Sequence, residues 1–321
     1  MTHAAGDRAP VVSVVIPAYN AGTYIAETLD SVFAQRFRDF EVIVVNDGSP
    51  DTPVLEAAIA PYRDRLQYVV QQNGGPSAAR NTAIRRARGS LVAFLDGDDK
   101  WLPDCLADQV GRANEQPSAV VFHGDAEIIG NARFEGATLR QLNHSEGHVD
   151  FLGLIDERCV ITTSCSMVRR DVLLDVGMFD ESLRRSEDFD LWLRIAHRGG
   201  RFDSSTAVLA QYRRNGTGTS SNETVMADAV LAVLDKCERT LTLTPKEREA
   251  VARARGRQWA IKQLLEGKSA LAQGDYGRAK RALREANVVM RSRKLSLIVH
   301  GLSVAPGVMA RLYNRRSERQ Q

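Results

Sequence analysis

Residues 90–100 read SLVAFLDGDDK: five apolar residues, Leu91 to Leu95, run straight into three carboxylates, Asp96, Asp98 and Asp99. The apolar run has the length and composition of a buried strand. Like charges this close repel one another, so the chain tolerates them either as a solvated turn or around a bound cation. The neighbouring segments decide between the two.

Upstream, VVSVVI (11–16), FEVIVV (40–45) and LQYVV (66–70) repeat the pattern of short apolar runs, and SAVVF (118–122) follows. Helical segments separate the first four runs, with Thr23, Thr52 and Ser77 standing as N-caps. Strands alternating with helices imply an α/β fold whose mostly parallel sheet is covered on both faces. Such sheets bind ligands beyond the carboxyl ends of their strands. Four polar loops gather at that rim: Pro17-Ala18-Tyr19-Asn20, Asn46-Asp47-Gly48-Ser49, QQNGGPSAARN (71–81) and DGDD (96–99). Further on, 162–170 reads as a strand, 186–200 as a capped amphipathic helix and 205–214 as a strand. The chain beyond about residue 222 reads as helices over 223–241, 245–266 and 268–290.

The stretches VVSVVIPAYNAGTYIAETLDSVFAQ, FEVIVVNDGSPD, NGGPSAARNTAIRRARGSLVAFLDGDD and SEDFDLWLR, in this order, resemble the family 2 glycosyltransferases of the GT-A fold. The resemblance covers roughly residues 11–220 and implies an inverting transfer of one sugar from a nucleotide-diphosphate sugar. It implies a domain over 11–221, with a nucleotide-sugar half (11–125) and an acceptor half (126–221), after a disordered stretch 1–10. The basic helical region 222–321 lies outside it.

By the same resemblance Asp98 is the direct ligand of a divalent metal, Mg2+ or Mn2+, and Asp96 reaches the ribose hydroxyls or the metal through water. Hard cations of this kind take carboxylate oxygens and keep positions open for phosphate. Gly97 is expected to let the backbone turn sharply between the two acids, and Asp99 to cap the next helix. Asp47, followed by Gly48, would accept a hydrogen bond from a base ring N–H, which uracil, thymine and guanine all offer; a UDP-sugar is favoured. Pro17, Ala18, Tyr19 and Asn20 would shape the base pocket, although Tyr19 reads equally as core packing. Arg80, expected in the first turn of a helix opened by Ser77, would lie beside the nucleotide. Asp188, in the acidic pair behind Ser186, would be the general base. A helix N-terminus and a nearby cation are both expected to lower its pKa. Arg213 would clamp the diphosphate on a Gly-rich lid. The chain departs from the family at Asn215, where a histidine often stands, which puts a third metal ligand in question.

Two other classes compete. Nucleotidyl transfer would need a basic, Gly-rich loop after the first strand, and PAYNAGTY (17–24) has no basic residue. A non-catalytic nucleotide-sugar-binding or scaffold protein would keep the fold without turnover. The four scattered cysteines have no metal-ligand spacing and read as reduced core thiols in a cytoplasmic protein.

The net charge of +3 conceals an asymmetry: residues 246–321 carry 18 Lys and Arg against 6 Asp and Glu, and residues 1–245 carry a net −9. The basic region points to an anionic partner, a membrane surface at the cytoplasmic face or an acidic protein, with nucleic acid not expected. The acceptor implied is a saccharide or a lipid-linked one in cell-envelope, polysaccharide or glycoconjugate synthesis.

Overall fold

The computed structural model describes residues 8–143, 149–214 and 222–307. The chain divides into two compact units, Met1–Gly218 and Thr219–Gln321.

The first unit begins with β1 (Val12–Ala18), α1 (Ile25–Phe33), β2 (Phe40–Asn46), α2 (Thr52–Ile59), β3 (Gln67–Val70), α3 (Pro76–Arg86) and β4 (Leu91–Phe94). It continues with β5 (Lys100–Trp101), α4 (Cys105–Glu115), β6 (Ala119–Ile129), α5 (Leu139–Asn143), α6 (Phe151–Ile155), β7 (Ser166–Arg169), α7 (Arg170–Asp175), α8 (Glu187–His197) and β8 (Arg201–Arg213). One eight-stranded sheet has the order β3-β2-β1-β4-β7-β6-β8-β5. The β3-β2-β1-β4 half is parallel, with Val14 level with both Val42 and Ala93. β7 runs antiparallel to β4 and β6. Val12, Val14, Val15 and Ile16 are all fully buried, because helices cover both faces of this half. α1 contributes Ile25, Thr28, Leu29 and Val32, the i, i+3, i+4, i+7 stripe of a core-facing helix. The chain order reverses between β1 and β4, which opens the loops after β1, β2 and β4 toward one another.

Local signals differ from the sequence expectation in four places. The helices start at Ile25, Thr52 and Pro76, so Thr23, Thr52 and Ser77 are not N-caps, and the residues that are (Tyr24, Asp51, Gly75) make no side-chain cap bond. Arg80 therefore lies in the second turn of α3, not its first. The expected strand 162–170 opens as a 3-10 turn, Thr163–Cys165, and only Ser166–Arg169 pairs. Ser186 stands before α8 with φ +55° and no side-chain cap bond, so that helix is not capped in the expected way.

The second unit is α9 (Glu223–Thr240), α10 (Pro245–Ala272), α11 (Tyr276–Met290) and α12 (Arg293–Val304). A capping box between Thr244 and Glu247 starts α10. Gly274 (φ +78°) then breaks the expected continuous helix 268–290, and the side chain of Asp275 caps α11. Gly267 lets α11 approach: a Cβ there would stand 2.6 Å from Leu283 Cδ2. Among the described residues no helix is long and apolar enough to cross a membrane.

Phe94, fully buried on β4, meets Phe179 edge-on with ring centroids 5.4 Å apart. Phe94→Ala should cost about 3–5 kcal/mol, measured by urea denaturation; a loss under about 1 kcal/mol would contradict this packing.

Candidate active site at the carboxyl ends of the parallel strands

β4 delivers Asp96, Gly97, Asp98 and Asp99 to the rim, and the four residues face different surroundings. Asp99 is 1% exposed. Its carboxylate accepts from the Ser164 hydroxyl and, at 2.8 Å, from the backbone N–H of Arg213. It caps no helix, since Asp104 holds that position for α4. Burial, then the charges of Asp96 and Asp98, raise its pKa well above the usual carboxylate range. Gly97 lies in the expected turn, where the Asp99 N–H donates to the Asp96 carbonyl at 3.1 Å, without a left-handed φ. Its small size also matters, because a Cβ would stand 3.1 Å from the Pro17 carbonyl oxygen and 3.0 Å from Ala21 Cβ. Asp96 is about a third exposed and accepts from Arg80 Nη2 at 2.6 Å. Asp98 is partly buried, and burial followed by the charge of Asp96 pushes it up to about 6. Two neighbouring carboxylates, one poorly compensated by protein cations, form an oxygen donor set that fits a hard divalent ion. Among the described residues no group of three or more His, Cys, Asp or Glu is arranged around a metal position, so the fit is to a partial shell that leaves room for other oxygens.

β1 and β2 present the other loops. Pro17 and Ala18 lie on β1, level with Val45 and Asn46. Ala18 is fully buried and belongs to the core, not to a pocket wall. Tyr19 is 52% exposed, which removes the packing alternative. Asn20 adopts φ +52°, and its N–H donates to Ser49 Oγ at 2.7 Å; Gly22 N–H donates to Asp51 Oδ2 at 2.8 Å. The loops after β1 and β2 are thereby fastened together.

Asp47 is 2% exposed, and its carboxylate accepts from Gln71 Nε2 and from the backbone N–H groups of Gly74 and Gly75, at 2.7, 2.8 and 2.7 Å. Sequence reasoning assigns this carboxylate to a base; the structure gives three of its roughly four acceptor positions to the 71–75 loop. Gly48 (φ +62°) permits the close approach, since a Cβ there would meet Asn73 N at 2.8 Å.

Arg80 joins the two sides of the rim. Its side chain is 4% exposed, with Nη1 donating to Glu187 Oε1 and Nη2 to Asp96 Oδ1, both at 2.6 Å. Burial works against its charge, and the two carboxylates more than offset that, raising its pKa. Next to Glu187, Asp188 accepts from Thr163 Oγ1 at 3.1 Å and from the Phe189 N–H at 2.7 Å. Its pKa is raised to about 6, not lowered: burial and the Glu187 charge outweigh Arg80 and the two hydrogen bonds. Arg213 Nε donates to the Asp98 carbonyl at 2.8 Å and Nη2 to Glu27 at 3.0 Å, so this arginine braces the acidic loop in the described structure. Asn215 and the Gly-rich stretch 215–221 lie outside the described residues.

Sequence reasoning missed Thr163 and Ser164. Adjacent in the 3-10 turn, they touch Asp188 and Asp99 respectively, and Ser164 Oγ also accepts from the Asp96 N–H at 3.1 Å. The only available signal was TTSC (162–165), which reads as strand. Arg184 was also missed; its Nη1 stands 3.0 Å from where a Cβ on Gly75 would sit.

The family model "Glycosyl transferase family 2" matches residues 13–177. An uncharacterized glycosyltransferase of Rickettsia felis is 29% identical over 211 residues, 63% of this chain; the chain spans 34% of that protein's length. TuaG of Bacillus subtilis, provisionally named a teichuronic acid biosynthesis glycosyltransferase, is 31% identical over 232 residues, covering 72% of this chain and 89% of TuaG. Among solved structures, Staphylococcus aureus TarS 1–349 in complex with UDP superposes with TM-score 0.63 at 21% identity, over 97% of this chain and 92% of that one. The mannosyltransferase PcManGT of Pyrobaculum calidifontis, in complex with GDP-Man and Mn2+, gives TM-score 0.62 at 20% identity, over 96% and 88%. These two likenesses establish the GT-A-like fold.

Arg80→Met should leave Glu187 and Asp96 without their buried counter-charge and cost about 3–5 kcal/mol, read by urea denaturation. Arg80→Met combined with Glu187→Met should recover more than half of that loss; no recovery would mean that the pair does not interact as described.

Proposed function

The chain belongs to glycosyl transferase family 2, and from that premise we propose that it moves one sugar from a nucleotide-diphosphate sugar to an acceptor hydroxyl with inversion. The observation that carries this reading is the shared frame of the acids. Arg80 ties Glu187 to Asp96, and Thr163-Ser164 ties Asp188 to Asp99. A base and an oxygen donor set are thus held on one support, as a single displacement requires.

In that displacement the acceptor oxygen bonds to the anomeric carbon, the carbon–oxygen bond to the diphosphate breaks, and its electron pair leaves on the phosphate oxygen. The acceptor proton passes to Asp188, which at a pKa of about 6 is ionised at neutral pH yet more basic than an ordinary aspartate. Asp98, with Asp96 beside it, would hold Mg2+ or Mn2+, which when bound supplies positive charge opposite the diphosphate. Arg80 fixes the Asp96 carboxylate that we assign to the ribose or to metal-bound water. Exposed Tyr19 and Asn20 offer a surface for the base, and Asp47 with Gly48 belongs to the loop fastened to them through Ser49. We favour a UDP-sugar, since the TarS complex holds UDP, and the GDP-Man complex of PcManGT marks the alternative base. Arg213 braces the acidic loop and, by our reading, adds positive charge near the diphosphate.

A role in polysaccharide synthesis is supported by the name of TuaG, provisionally a teichuronic acid biosynthesis glycosyltransferase, and we take the acceptor to be a saccharide or a lipid-linked one. A cytoplasmic setting is supported by the four free, buried cysteines. A non-catalytic binding protein of the same fold would bind donor without acceptor-dependent turnover.

Acceptor-dependent release of nucleoside diphosphate should require Mg2+ or Mn2+ and vanish with chelator. Asp98→Ala should lower it by about 100-fold or more; retention of activity would sink the assignment. The rate should rise with pH through about 6, as Asp188 loses its proton, and level off above. Asp188→Asn should cost about 100- to 10,000-fold in kcat and remove that rising limb while leaving donor binding in place. Persistence of the limb in the variant would move the base elsewhere.

A further inference from the structure

α12 carries apolar residues on opposite sides. Leu295 and Leu302 are buried in the core cluster they share with α10 and α11, with Ile298 and Val299 packed beside it. Leu297 and Val304 are each 72% exposed. At 100° per residue Arg293, Leu297, His300 and Val304 form one stripe opposite that core face. α11 repeats the arrangement: Ala279, Ala282, Leu283 and Ala286 face inward, while Val288, 71% exposed, lies opposite with Arg281 and Arg284 on either side.

The two outer stripes share one sign of charge. Residues 276–304 contain seven Lys and Arg (Arg278, Lys280, Arg281, Arg284, Arg291, Arg293, Lys294) against one acid, Glu285. None of the seven pairs with a carboxylate among the described residues, whereas Arg253, Arg255 and Lys262 of α10 do. α12 itself has no acid at all.

We propose that the outer face of α11 and α12 docks on an anionic lipid surface, with Val288, Leu297 and Val304 entering the headgroup layer and the surrounding cations meeting lipid phosphates. Unpaired like charge disfavours a second copy of this chain as occupant, since the stripe would face itself. Exposed aliphatic side chains set among cations suit a membrane interface, where apolar burial and charge attraction add, and neither helix is required to span.

The test is sedimentation of the full chain with vesicles of phosphatidylcholine containing phosphatidylglycerol and with phosphatidylcholine alone. Pelleting is expected with the anionic vesicles only, and loss of it in about 1 M salt, where the Debye length is about 3 Å. Arg291→Gln, Arg293→Gln and Lys294→Gln combined should reduce partitioning by about 100-fold, at roughly fivefold per cation. Leu297→Glu and, separately, Val288→Glu should reduce it at unchanged melting temperature, since both positions are exposed. Equal pelleting on both vesicle types, or parental pelleting by the triple variant or by both glutamate variants, would overturn the proposal. So would lipid-independent self-association that Leu297→Glu abolishes.

Discussion

The buried guanidinium of Arg80 is the constraint on which the site depends. It lies inside the protein between a carboxylate from the loop after β4 and one from the start of α8, segments about ninety residues apart in the sequence. A cation taken out of water is tolerated only when paired with good geometry. Here both terminal nitrogens meet carboxylates at 2.6 Å, and α3 supplies the rigid stem that holds them there. Because one charge serves two acids, neither loop can shift without exposing the other to an unpaired buried charge. The acidic loop and the helix carrying Asp188 are therefore set relative to each other by electrostatics, where backbone pairing alone would leave them independent.

The remaining acids titrate high chiefly because they are buried. Burial, then the charge of Asp96 at Asp98 and of Glu187 at Asp188, outweighs Arg213 at the first and Arg80 at the second, and both stand at about 6. At Asp188 the expected lowering by the helix end fails because burial penalises the anion and Glu187 sits beside it in the same first turn. Asp99 is removed from the solvent-facing set altogether, held by the Ser164 hydroxyl and the Arg213 backbone. Of three consecutive-looking acids, one is thus a structural anchor and two remain to face a ligand.

The parallel half of the fold was legible because its strands are continuous apolar runs that end in glycine, proline and acid, and burial on both faces demands that pattern. The second half was less so: β8 extends back to Arg201 through a polar stretch, paired with β6 through register shifts that no periodicity announces. Within the site, Asp96 and Asp98 stood out because acids after an apolar run are conspicuous, and Asp188 because the acidic pair behind Ser186 matches the family's. Thr163 and Ser164 did not, because a hydroxyl in a β-branched stretch carries no local mark of what lies across the fold. Gly97 does stand in a turn, closed by the Asp99 N–H on the Asp96 carbonyl, but its close approach to the Pro17 carbonyl and Ala21 is made across 70 or more residues of sequence, and no local signal reports it.

Net charge in the site constrains how a donor can enter. Asp96, Asp98, Glu187 and Asp188 stand against Arg80 and Arg213, and Arg213 already meets Glu27. A diphosphate adds further negative charge to this surplus, and partial burial keeps water from screening the repulsion. Protonating Asp98 would relieve part of it but would spend the oxygen donor that makes the site useful. On the proposed function, cation and diphosphate would favour arriving together: each would cancel the charge that opposes the other, and the surplus of acid that would repel a bare nucleotide would select a metal-bound one.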